Sequence, residues 1–136
     1  MSDAPAVPAE QVLHFPDGIP GFPRSRRFVL ADIAEDSAFQ ILQSLDEPEV
    51  SLVVSVPWLF FPDYAPVLDE TDQRDLGISS PDDAIVFCAV AVDETGEQVY
   101  LNLLGPFVVN AATRQGRQVV LSDSSLPVRA PVALAS

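Results

Sequence analysis

The sequence predicts an all-β domain, a small closed or nearly closed barrel-like sheet of seven or eight short strands with one short helix. Three observations predict it. Thirteen prolines and six glycines cut 136 residues into short stretches. That is too many breakers for a long helical bundle and below the roughly 25–30% that marks a disordered chain. The apolar stretches between breakers are rich in β-branched and aromatic residues, which suit strands. Only one stretch carries both a helix start and a helix stop. Closing the sheet removes exposed edges, which favours a barrel over an open sheet. With 48% hydrophobic residues the chain can bury one real core and has little length for a second domain. The expected divisions are a disordered N-terminal segment at 1–9, one domain at 10–131 and a flexible tail at 132–136.

Each element has a local reason. Gln11 to Phe15 makes a short strand that Pro16-Asp17-Gly18 breaks. Pro16, Pro20 and Pro23 then fix φ three times in eight residues, so the loop that follows is stiff. Arg27 to Leu30 and the near-alternating Phe39 to Leu45 read as strands, with a turn at Asp46 to Glu49. Val50 to Val56 continues the sheet and stops at Pro57. The helix is expected near 69–76, with Asp69 as N-cap, acids in its first turn and Gly77 as its C-terminal stop. Ala84 to Val92 is nine residues without a polar interruption, a strand buried on both faces. Its β-branched Ile85, Val86, Val90 and Val92 argue against a buried helix. Asp93 to Glu97 turns the chain into Gln98–Leu104, and Gly105-Pro106 bends it before Phe107–Val109. A last turn at Thr113 to Gly116 leads into Gln118 to Leu121.

Charge excludes several functions. Twenty acids against seven bases give −13, and all seven bases are arginine. Binding nucleic acid requires cations that displace counterions from phosphate, so no direct DNA or RNA binding is expected. Anionic membrane surfaces are excluded by the same sign. A basic protein partner fits, because opposite fields speed encounter, although solubility alone also explains the charge. The single cysteine, Cys88, forms no internal disulfide and reads as inert packing. The N-terminus lacks the basic start and apolar stretch of a signal peptide. The longest apolar run is nine residues, against the roughly 20 a spanning helix needs. A cytoplasmic protein is expected.

Catalytic signatures are missing. His14 is the only histidine, so no two-histidine metal motif exists within the chain. Without lysine, Schiff-base and P-loop chemistry are out, and no Gly-x-Ser-x-Gly elbow occurs. No cofactor is expected. Residues 63–83 hold seven acids, Asp63, Asp69, Glu70, Asp72, Asp75, Asp82 and Asp83, with Arg74 as the only base. An EF-hand loop starting at Asp69 would need glycine where Arg74 stands. The segment is therefore a solvated acidic face or an acidic docking surface, with a carboxylate- or metal-dependent hydrolase as the alternative from another class. Just before it, Trp58, Phe60, Phe61 and Tyr64 place four of the chain's 11 aromatics within seven positions. In a strand Phe60 and Phe61 would point to opposite faces, so one must be covered by another element or offered to a partner. Aromatics beside acids also compose protein-binding hot spots. The candidate partner-binding residues are Trp58, Phe60, Phe61, Tyr64, Asp69, Glu70, Asp72, Asp75, Asp82 and Asp83.

Several short blocks resemble one family. Phe15-Pro16-Asp17-Gly18-Ile19-Pro20-Gly21-Phe22 is similar to the FPxGIPGF signature of the bacterial flagellar assembly factor FliW family. The resemblance continues in Leu42 to Asp46, Phe60 to Tyr64 and Asn102 to Pro106. It closes with Gly116 to Leu121, Asp123-Ser124, Pro127 and Arg129. Leu126 departs from it, standing where the family usually has an aromatic. The resemblance implies a non-enzymatic cytoplasmic regulator, monomeric when unbound. Such a protein binds flagellin and, once released, binds CsrA, relieving CsrA's repression of flagellin mRNA translation.

Overall fold

The computed structural model describes residues 11–32, 38–121 and 125–132. The expectations for 1–9 and for the end of the tail lie outside them. Among the described residues nine strands and one α-helix form, in the order β1 Leu13–His14, β2 Arg27–Asp32, β3 Phe39–Ser44, β4 Ser51–Ser55, α1 Glu70–Leu76, β5 Ala84–Val92, β6 Val99–Leu101, β7 Phe107–Asn110, β8 Gly116–Gln118 and β9 Ala130–Val132. Every ladder is antiparallel, and β1 to β4 form a meander that leads into β5. The long β5 then organises the rest. Its first half pairs with β7 from Ala84–Asn110 to Phe87–Phe107, and its last three residues pair with β6. β8 adds to β7 and β9 adds to β6. No helix among the described residues is long and apolar enough to cross a membrane.

The barrel expectation is corrected. Among the described residues the ladders run as a branched path, and the sheet does not close. The two ends meet at one isolated bridge, where the His14 amide donates to the Arg114 carbonyl at 2.8 Å. β1 is two residues long and the chain reaches Pro16 at once, which has no N–H to extend a ladder. One bridge is contact without closure.

Two further details differ from expectation. β9 was hidden by Pro131, a residue confined to edge strands, where its missing donor faces away from the ladder. β8 begins at Gly116, earlier than expected, because the glycine lets the backbone press against β7. A Cβ there would lie 2.6 Å from Val109 Cγ2 and 2.7 Å from the Val108 carbonyl oxygen.

The core divides into two clusters on either side of β5 and β7. Phe87, Phe107 and Val109 join Phe15, Phe28 and Leu42 in one. Cys88 and Val108 join Tyr64, Leu76, Ile78 and Leu101 in the other. Alternation along the strands therefore feeds both clusters. Two-sided burial of β5 holds only in its middle: Phe87 and Cys88 are buried, whereas Ala91 and Val92 are exposed.

Cys88 is fully enclosed, and burial pushes its thiol pKa up to about 12. The thiolate is the reactive form. Native protein at pH 8 should therefore resist iodoacetamide, while denatured protein should take up one equivalent. Rapid native labelling, followed by mass spectrometry, would contradict the packing.

The signature loop is rigid for a visible reason. Gly18 has φ +73°, and a Cβ there would sit 2.6 Å from Pro23 Cα and 2.7 Å from the Phe22 carbonyl oxygen. The turn is clasped by the Phe22 amide, which donates to the Ile19 carbonyl at 2.8 Å. Gly18→Ala should cost about 2 kcal/mol in strain, read as a lower urea midpoint with an unchanged m-value.

Candidate functional site

The aromatic run is a turn rather than a strand. Pro57 ends β4 and starts a 3₁₀ turn over Pro57–Leu59, with the Phe60 amide donating back to the Pro57 carbonyl. This geometry removes the two-face constraint. Phe60 and Phe61 are both half-buried against the same cluster, and Phe60 stacks on Phe39 with ring centroids 5.8 Å apart. Trp58 stays 39% exposed while its indole N–H donates to the Tyr64 carbonyl at 2.6 Å. Tyr64 is engaged inward: it is buried, and its hydroxyl donates to the Leu103 carbonyl at 2.6 Å. Burial raises its pKa well above the usual phenol value. Of the four candidate aromatics, Trp58 presents a wide face to solvent.

The acids divide by task. Asp69 caps α1, accepting the Asp72 amide at 2.8 Å, as its place in the sequence predicts. At the other end Gly77 takes φ 70°, with Gly77 N–H bonded to Arg74 O and Ile78 N–H to Gln73 O, a Schellman closure. Asp72 and Asp75 both bind Arg117, at 3.1 and 3.2 Å. Burial raises the Asp72 pKa, the Asp69 charge raises it further, and Arg117 opposes both. These two carboxylates are thus partly neutralised within the chain. Asp83 accepts the amides of Ser79 and Ser80 at 3.2 and 3.1 Å. Asp63, Glu70 and Asp82 remain exposed. Among the described residues no group of three or more His, Cys, Asp or Glu side chains is placed to hold a metal ion.

Between these elements runs an open groove of about 650 Å³. Its walls include Trp58, Val67 and Leu68, and its floor includes Ile78, Val86 and Val108. Val67 is 77% exposed, and Leu59 nearby in sequence is 60% exposed. Sequence reasoning missed both, because single apolar residues among prolines and aromatics carry no periodicity. It also missed Arg117, which lies 45 residues from Asp72 and has no local signal.

The chain matches a family model described as FliW protein over residues 3–132. It is 36% identical over 126 residues to the flagellar assembly factor FliW of Bacillus licheniformis, covering 93% of this chain and 88% of that protein. Against the flagellar assembly factor FliW of Moorella thermoacetica it is 38% identical over 119 residues, covering 87% and 75%. A crystal structure of the flagellar assembly factor FliW superposes with a TM-score of 0.86 at 27% identity, covering 96% of this chain and 92% of that one.

Proposed function

Because the chain belongs to the FliW family, we propose that it is a cytoplasmic, non-enzymatic flagellar assembly factor that binds flagellin and, when released, binds CsrA and lifts its repression of flagellin mRNA. The observation that carries this reading is the family match along nearly the whole chain. The charge supports it in sign. A protein that binds RNA carries basic surface, and a −13 partner docked beside that surface repels phosphate.

The docking surface proposed for CsrA combines Trp58, Phe60 and Phe61 with the acids of 63–83, and the aromatics supply contact area. The acids set orientation and on-rate. Because Asp72 and Asp75 hold Arg117, reversing them would also disturb that contact. Glu70 and Asp82 are the cleaner pair, since both are exposed. Each reversal to arginine changes the charge by two, so the double variant moves from −13 to −9 and keeps an acidic field. The hydrolase alternative finds no support in the relatives.

A pull-down with CsrA and flagellin from the same organism tests the proposal. Capture of each partner separately supports it, and a folded protein that captures neither overturns it.

A further inference from the structure

The groove beside Trp58 has a chemistry of its own. Its wall and floor are mostly apolar, built from Trp58, Val67, Leu68, Ile78 and Val86. About 650 Å³ falls within the roughly 300–1,000 Å³ of sites that enclose compact apolar groups. Every buried side-chain nitrogen and oxygen among the described residues already has a hydrogen-bond partner. The groove therefore offers mainly apolar contact, and no buried side-chain polar atom is left unpaired to orient a small polar ligand. Its surroundings are acidic: Asp63 precedes Tyr64, Asp69 follows Leu68, and Asp82 and Asp83 follow Ser80. No arginine lines it.

Two candidate occupants are disfavoured on charge. A second copy of this chain would bring another −13 to the same rim, and an acidic segment would meet like charges. We infer that the groove seats one amphipathic segment of a basic protein partner, with two or three apolar anchors on one face and lysine or arginine flanking them. The anchors would enter between Trp58 and Val67, at the i, i+3 or i+4 spacing of a helix laid in a groove. The flanking cations would face Asp69, Asp82 and Asp83. This inference rests on the acidic docking surface proposed above and specifies what fills it.

Trp58 is the chain's only tryptophan, so its emission reports on the groove alone. The test titrates the intact protein with three synthetic 14-residue peptides: a lysine/leucine amphipathic helix, a glutamate/leucine helix and a lysine/serine peptide. Only the lysine/leucine peptide is expected to shift Trp58 emission to the blue with saturation. Val67→Arg puts a cation at the groove mouth on a side chain 77% exposed, so the fold should be retained, as circular dichroism would check. It should weaken that peptide by about tenfold. An equal shift with the glutamate/leucine peptide, binding with no Trp58 shift, or unchanged affinity in Val67→Arg overturns the inference. Failure of the peptide test with CsrA or flagellin still captured removes the groove and keeps the family function. Peptide binding without capture of either partner does the reverse.

Discussion

Phe107→Ala is expected to lower the thermal unfolding midpoint by about 14 °C. Phe107 is 2% exposed and sits where β5, β7 and β8 meet. Its ring stacks on Phe87 at 5.5 Å and meets Phe15 edge-on at 6.0 Å, and Phe15 in turn meets Phe28 edge-on at 5.4 Å. Truncation leaves a cavity that three other rings cannot fill without leaving their rotamers, at a cost of about 4 kcal/mol. An unfolding entropy of about 2.1 cal/mol/K per residue gives about 0.29 kcal/mol/K for this length, hence the expected shift. Val120→Ala is the control, since Val120 is 70% exposed and should change stability by less than about 0.5 kcal/mol. Calorimetry on both variants decides it. A Phe107→Ala shift no larger than the control's would mean that the aromatic cluster does not hold the two halves of the sheet together.

Asn110→Leu should cost nearly as much by a different route. The Asn110 amide donates to the carbonyls of Leu76 and Gly77 at 2.8 and 3.2 Å. Its oxygen accepts the amides of Ala112 and Thr113 at 2.8 and 3.1 Å. One buried side chain thus ties the end of α1 to the turn between β7 and β8. Leucine keeps the volume and removes all four bonds, stranding carbonyls that Gly77 leaves open at the helix end. The expected loss is about 3 kcal/mol, or about 10 °C. Asn110→Asp retains the acceptor and loses the donor, so hydrogen exchange should quicken at Gln73 and Ile78 before it does in the turn. Equal exchange in wild type and Asn110→Leu would show that α1 is held by its own caps alone. Because Leu68 and Ile78 lie just outside the two caps of α1 and line the groove, a loosened helix also disturbs the groove.

Local chemistry was legible in the sequence. Asp69 and Gly77 bracket a helix from Glu70 to Leu76, because an N-cap oxygen and a left-handed glycine act within one turn. β3, β4 and β5 were readable from alternation or from an apolar run. Sheet closure was not. It depends on how many residues of β1 pair before Pro16 and on an encounter between His14 and Gln115, far apart in the sequence. The candidate site was legible in composition but not in assignment. Tyr64 shares a motif with Trp58, yet its hydroxyl finds Leu103 and takes the ring inside. Asp72 and Asp75 look like free acids until β8 brings Arg117 to them. Long-range pairings of this kind have no periodicity to read, whereas caps and turns do.

We propose that one acidic chain passes between two partners, flagellin and CsrA. The most direct test is to saturate the protein with flagellin and measure CsrA binding by isothermal titration, with the free protein as reference. Clear CsrA binding to the free protein is expected, with its loss in the flagellin complex and its return when flagellin is withdrawn. Undiminished CsrA binding in the presence of saturating flagellin would contradict it.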